Sequence, residues 1–325
     1  VLWAGGGEKN TIGEQGVKHP GHPPPGSFDF HLYASEASAR SAIRDRDVYG
    51  AFVITDSSIT VFEASAASAT VAQLLTVAGQ QLAGNVGGSV GGNVGGSVGT
   101  GAQRAAVDVT SVDVVPNSSG DPRGLVLSAS LLPLTICSII IASVIGLVVG
   151  FRPAWRQIVA LAVVSAAAGL GALLIAQGFL GALPHEHLAT WASLSLTMLA
   201  ISSVTAGLIA LIGSAGFGLG AILLVFVGNP FAGVTSAPQL LPDWVDHLGQ
   251  WLPPGAGANL LRSTAYFDGH GAAGHLVVLI LWTGFGLSAI VVGHHTSVRL
   301  AGHQSRLPAV VDRPASAPAP ASAPS

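Results

Sequence analysis

A pair of histidines beside a glutamate is the part of this chain whose residue types and spacing best suggest metal chemistry. His185 and His187 flank Glu186 in a short polar link. Two imidazoles and a carboxylate are ligands that hold zinc in proteins. However, the sequence offers no second group of cysteine or acidic ligands, and short polar links between apolar segments are common. We therefore treat zinc at His185 and His187, and a membrane enzyme built on it, as the weaker hypothesis and expect no cofactor.

Neither lysine of the chain lies in a nucleotide-binding motif. A phosphate-binding loop needs Gly-Lys followed by Ser or Thr, whereas Lys9 precedes Asn10 and Lys18 precedes His19. No run of basic residues suggests a nucleic-acid partner. We therefore expect that the chain is not an enzyme and binds no nucleic acid.

One short connection, residues 151–157, combines cations with aromatic rings. It contains Phe151, Arg152, Trp155 and Arg156. Such a connection can dock into a groove of a soluble partner. Alternatively, it is a positively charged turn with aromatic rings at a membrane interface, and the residues alone favour this second interpretation.

Long uncharged segments must position these residues. Asp, Glu, Lys, Arg and His are all missing from residues 125–150, 158–183, 188–213, 215–234 and 276–293. A helix rises about 1.5 Å per residue and a bilayer core is about 30 Å thick, so about 20 residues cross it. We therefore predict an α-helical polytopic membrane protein with five spans. The lack of charge within the spans argues against an ion-coupled carrier.

Arginine positions predict how these spans are oriented, because cytoplasmic loops favour Lys and Arg. Arg152 and Arg156 follow the first span, three further arginines follow the fifth, and only Arg262 lies between the fourth and fifth. This pattern predicts a multi-pass protein of the plasma membrane. Residues 1–124 are then outside the cell, and residues 299–325 form a disordered cytoplasmic tail rich in Pro, Ala and Ser.

An outer domain needs a preceding export segment, and Trp3 is typical of a membrane interface. We therefore interpret residues 1–4 as the outer end of a missing first transmembrane helix, which gives six spans in the full protein.

Residues 5–124 read as a small extracellular α/β domain. The patterns predict helices over 35–45 and 68–82, and strands over 28–33, 48–55, 59–64 and 105–115. The octapeptide GNVGGSVG then occurs twice, at 84–91 and 92–99. Because glycine disfavours a water-exposed helix, we predict a flexible glycine-rich linker over 84–101.

The membrane domain, 125–298, contains an unusual outer segment over 236–274. Trp244, Leu248 and Trp251 fall on one helical face, and Asp243 and Asp246 fall on the other. This pattern predicts an amphipathic helix at the outer interface. Prolines at 253 and 254 end it, and residues 256–266 are expected to re-enter the membrane surface.

Several motifs, in their order along the chain, resemble the YhgE/Pip-like and related ABC-2 type transporter permeases of actinobacteria. Residues 39–43 and 47–53 are similar to the extracellular domain of those proteins. Residues 113–116 and 121–124 are similar to the junction before their second span, and residues 229–233 to their outer segment. The family pattern is one span, a large external domain and then five spans.

The resemblance implies a membrane subunit of an ATP-driven exporter of a hydrophobic or amphiphilic substrate. It implies a separate ABC ATP-binding subunit as partner, docked at Phe151, Arg152, Trp155 and Arg156, and a homodimer or paired permease in the bilayer. The alternative is a cell-surface receptor or envelope scaffold without transport, as the phage-infection members of the family suggest.

Overall fold

The chain folds into a small polar domain and a bundle of long helices. The computed structural model describes residues 2–4, 31–55, 58–90, 107–149, 153–183, 187–234 and 237–304. The polar domain contains β1 (Leu2–Ala4), α1 (Glu36–Arg44), β2 (Gly50–Ile54), β3 (Ser58–Glu63), α2 (Ala69–Val90) and β4 (Asp108–Asp113). The bundle contains α3 (Leu125–Val149), α4 (Ala154–Leu173), α5 (His187–Ile212), α6 (Ser214–Ala221), α7 (Asn229–Phe231), α8 (Asp243–Trp251), α9 (Pro253–Tyr266) and α10 (Ala272–Gln304).

The strands of the polar domain form a mixed sheet in the order β1-β2-β3-β4. β2 and β3 form the predicted hairpin, while β1 and β4 pair in parallel with their neighbours. Side chains alternate between the two faces of a sheet along each strand. Val53 and Phe62 therefore pack with α1 on one face, and Phe52 and Val61 pack with α2 on the other.

Helix α1 begins where the sequence predicts. Ser38 N–H donates to Ser35 Oγ (3.2 Å) and Ser35 N–H donates to Ser38 Oγ (3.1 Å). This reciprocal cap satisfies two donors that the first turn would otherwise leave free. Just after the helix ends, Arg46 adopts a left-handed conformation (φ 65°), and its side chain reaches the bundle.

The structure differs from two expectations for this domain. Leu2–Ala4 form a strand paired with β2 rather than the end of a helix. Helix α2 continues through Gly84 to Val90, so residues 84–90 are helical rather than a flexible linker. Helix growth adds one hydrogen bond per residue once a turn exists, and the packed first half of α2 supplies that start. The second copy of the octapeptide lies outside the described residues. So does the first half of the strand predicted over 28–33, and residues 31–33 form no strand.

Among the described residues, five helices are long and apolar enough to cross a membrane. They are Leu125–Val149, Ala154–Phe179, His187–Ile212, Ser214–Phe231 and Ala272–Thr296. They coincide with the five uncharged segments, which confirms the prediction of five helices able to span a membrane. We call the bundle end that contacts the polar domain the domain side, and the other end the far side. α3, α5 and α10 begin on the domain side.

Helix α5 lies at the centre of the bundle. In an apolar 18-residue window of this helix, 56% is buried inside the protein, against 22–28% for the corresponding windows of the other spans. It contacts α3, α4, α6, α9 and α10. Its hydroxyl groups donate mainly to carbonyls of the same helix, as Thr197 does to Ser193 O (2.7 Å) and Thr205 does to Ile201 O (2.9 Å). The centre of the bundle is therefore polar in composition but uncharged.

Two spans end in π-helical turns on the domain side, over Leu174–Phe179 after α4 and Ile222–Gly228 after α6. Helices α8 and α9 follow on the same side. α9 is buried along nearly its whole length and packs against α5, α8 and α10. The segment expected to re-enter the membrane surface is therefore an internal helix that begins at Pro253.

Candidate functional site

The predicted docking residues lie on the far side, at the start of α4. Trp155 is 60% exposed, and the Arg156 guanidinium carbon lies 5.5 Å from the centre of its ring. Arg156 N–H donates to Pro153 O (2.9 Å), which tightens this first turn. Phe151 and Arg152 lie outside the described residues. The described part of the loop thus presents one cation and one aromatic face at the far side.

Helix α8 places its large apolar side chains on two surfaces rather than one. Val245 and Gly249 are buried and face the bundle. Trp244 and Trp251 are 66% and 62% exposed, and Leu248 between them is also exposed. Adjacent helix positions point about 100° apart, so one wide apolar face divides into an inner and an outer half. The outer half is a rigid aromatic stripe at the domain side of the bundle.

The structure does not add support for zinc binding at His185 and His187. His187 is the first residue of α5 and is exposed, while His185 and Glu186 lie outside the described residues. Within the described ranges, no group of three His, Cys, Asp or Glu side chains is placed to hold a metal ion. Zinc at this link stays an untested hypothesis.

Two arginines, one from the polar domain and one from the bundle, meet at α9. Arg46 Nη2 and Arg262 Nη1 both donate to Asn259 Oδ1, each at 3.3 Å. Arg46 Nη1 also donates to Asn259 O (3.3 Å) and to Ser263 Oγ. Arg262 Nη2 donates to Val234 O (3.2 Å). Arg262 is only 5% exposed, so a guanidinium group is buried where the two parts of the protein join.

No carboxylate of the described residues balances these charges. Ion pairs within the described ranges join Arg40 to Glu36 (2.7 Å) and His270 to Asp45 (3.5 Å). Burial, followed by the nearby charge of Arg46, lowers the pKa of Arg262 to about 10. Burial also lowers the pKa of Arg46. Both shifts mean that the surroundings disfavour the charged forms.

Further polar contacts support the arginine pair and hold the polar domain on the bundle. Asn259 Nδ2 donates to Gln250 Oε1 (2.6 Å), which fixes the amide between the two arginines. Tyr49 OH donates to Gln239 Oε1 (2.5 Å), and Ser118 Oγ donates to Gly181 O. The polar domain is therefore attached at several points, and α9 forms the main support.

The sequence carries one signal for this pair. Arg262 is the lone arginine between the fourth and fifth spans, and it follows a run of small residues over 255–258. Small residues permit close packing, which buries the arginine with its helix. Nothing in the sequence predicts that Arg46 is its neighbour.

No protein-family model, curated protein or solved structure matches this chain. The resemblance to ABC-2 permeases therefore rests on the motifs themselves.

Proposed function

We propose that this chain is the membrane permease subunit of an ATP-driven exporter of the ABC-2 type, moving a hydrophobic or amphiphilic substrate. The observation that carries the proposal is the composition of the bundle. Its five helices contain no Asp, Glu or Lys, and their single arginine, Arg156, lies at one end. Such a bundle has no acidic relay for coupling to an ion gradient. Movement would then draw on a partner that hydrolyses ATP.

The permease role requires the polar domain outside the cell and the far side in the cytoplasm. Charge placement supports that orientation, because Arg156 lies at the far side after the first span and α10 carries Arg299 beyond the fifth. In this arrangement, Trp155 and Arg156 face the ATP-binding subunit. Two permease copies, or one copy paired with another permease, complete the proposed assembly in the plasma membrane.

Cysteine labelling tests the orientation, because Cys137 is the only native cysteine. In a Cys137→Ser background, Ser119→Cys marks the domain side and Ser214→Cys marks the turn between α5 and α6 on the far side. A membrane-impermeant maleimide should label intact cells at 119 and reach 214 only after the membrane is opened. Labelling of intact cells at 214 but not at 119 would reverse the orientation and remove the docking assignment.

Charge reversal at the far side tests the function. The full chain is purified in mild detergent with its ATP-binding subunit, and both association and ATP hydrolysis are measured. Arg156→Glu should weaken association and lower the hydrolysis rate by about tenfold, the effect of about 1.4 kcal/mol. Arg123→Glu is the matched control, because Arg123 is equally exposed but lies on the domain side.

Two results would contradict the proposal. Equal association of the wild type and Arg156→Glu would remove the docking role. Purification of the chain without any ATP-binding protein, under conditions that keep it folded, would favour the alternative of a receptor or scaffold.

A further inference from the structure

The arginine pair at α9 is a charge without a counterpart among the described residues. Every acceptor that Arg46 and Arg262 use is neutral: an amide oxygen, two backbone carbonyls and a hydroxyl. Burying a cation is unfavourable unless an anion compensates it. The ring of Phe267, 5.2 Å from the Arg46 guanidinium carbon, offers only a weak attraction. The pair therefore lacks negative charge rather than hydrogen bonds.

We propose that Arg46 and Arg262 bind a phosphate group, either free or carried by a lipid. Guanidinium groups present planar sets of N–H donors that match phosphate oxygens, and two of them can hold one phosphate between them. Asn259 Oδ1, which both arginines share at 3.3 Å, marks the point nearest to both cations. Charge-assisted contacts are shorter and stronger, at about 2.7–2.9 Å, so a phosphate oxygen is a better acceptor for both guanidinium groups than this amide oxygen.

A cleft lies beside the arginine pair, although Arg46, Asn259 and Arg262 do not themselves line it. Its volume is about 580 Å³, and its lining includes Arg44 and Asp45, the neighbours of Arg46 in the chain. Tyr266 and Phe267, at the end of α9, form its inner wall. Phe267 both lines the cleft and lies under the Arg46 guanidinium, so this ring is in contact with the cleft on one side and with the arginine pair on the other. The cleft is wide enough for a lipid headgroup or an inorganic anion.

The site needs both parts of the protein. Arg46 belongs to the polar domain, whereas Asn259 and Arg262 belong to α9 in the bundle. A bound phosphate therefore strengthens the attachment of the polar domain to the bundle. This inference holds whether or not the chain is a permease subunit, since it rests on the arginine pair alone.

Phosphate titration of the purified full chain tests the site. The chain is kept in neutral detergent, and its unfolding is followed by tryptophan fluorescence in inorganic phosphate and in chloride of equal ionic strength. Phosphate should raise the unfolding midpoint with the logarithm of its concentration above Kd, by about 3 °C at ten times its Kd. Arg46→Gln and Arg262→Gln should abolish this rise. Arg40→Gln should retain it, because Arg40 already has Glu36 at 2.7 Å.

Asn259→Asp keeps the test decisive even if an arginine variant does not fold. This change places a carboxylate next to both guanidinium groups. Without phosphate, the variant should unfold at a higher temperature than the wild type, and phosphate should no longer raise its midpoint. A phosphate response that persists in Asn259→Asp would overturn the proposal.

A second titration distinguishes the source of the phosphate. Phosphatidylglycerol is added to the detergent micelles at the same phosphate concentration. A larger rise with phosphatidylglycerol supports a lipid headgroup, and a larger rise with inorganic phosphate supports a soluble anion. If neither raises the midpoint of the wild type, the proposal is wrong, as it would be if a carboxylate from outside the described residues already neutralised the pair.

Discussion

Replacing Gly286 by alanine should destabilise the bundle, because α5 and α10 touch backbone to backbone there. A Cβ atom at Gly286 would lie 2.4 Å from the carbonyl carbon of Ser203 and 2.5 Å from the amide nitrogen of Val204. Ordinary contact begins at 3.4 Å, so these atoms must separate by about 1 Å. The obstacle is backbone, which cannot rotate away as a flexible side chain can.

The size of the effect follows from two opposing terms. Inserting a methyl group into a packed interface typically costs about 1–3 kcal/mol. Alanine is also a better helix former than glycine by about 1 kcal/mol, which offsets part of that loss. Gly284 lies on the same helix with nothing within 4 Å of an added Cβ. Gly284→Ala therefore gains the same helix propensity without the clash. The difference in free energy of unfolding between the two variants measures the cost of the clash, which we expect to be about 1–3 kcal/mol.

Thermal unfolding in detergent, followed by tryptophan fluorescence, measures this difference. Gly286→Ala should unfold at least about 2 °C below Gly284→Ala, given about 2–4 °C per kcal/mol for chains of this order of size. Equal midpoints for the two variants would mean that α10 does not contact α5 at Gly286, and the central position of α5 would have to be abandoned.

Three further predictions address the cap of the first span, a titrating carboxyl and the aromatic stripe. Asp121 accepts from Leu125 N–H (2.9 Å) and Val126 N–H (2.7 Å), so Asp121→Ala should cost about 1 kcal/mol in thermal unfolding, and no loss would contradict the cap. Burial raises the pKa of the Glu63 carboxyl in the folded protein above its ordinary value of 4.5. The protonated carboxyl therefore stabilises the fold fully below pH 4.5, and this stabilisation is lost as the pH rises through the pKa of the folded state. Glu63→Gln should therefore flatten the midpoint–pH curve above pH 4.5, and an unchanged slope would contradict this. A spin label at Leu248→Cys, in the Cys137→Ser background, should be more accessible to oxygen in bilayers than one at Asp243→Cys; the reverse order would place α8 away from the membrane surface.

The spans were predictable because a bilayer imposes a simple rule. A helix that crosses hydrocarbon must satisfy its backbone internally and exclude charge, so long uncharged segments identify α3, α5 and α10 directly. In the polar domain, the cap at Ser35 and the alternation in β2 and β3 are local signals and were also readable.

The remaining features depend on contacts that a local pattern does not encode. Helix α9 has small residues on all sides, so it shows no amphipathic face, and its burial became visible only in the packed bundle. The glycine repeat was judged by propensity, whereas helix α2 extends into it from a packed start. Arg46 meets Asn259 across 213 positions of chain, because a left-handed turn after α1 aims its side chain at the bundle.

The central claim is that an ATP-binding subunit drives this bundle. Its most direct test is the composition of the complex purified from native membranes into lipid nanodiscs, measured by quantitative amino-acid analysis. The proposal predicts an ATP-binding protein equimolar with this chain and ATP hydrolysis that elutes with the complex. A folded chain that elutes alone, or only with copies of itself and without ATP hydrolysis, would contradict it.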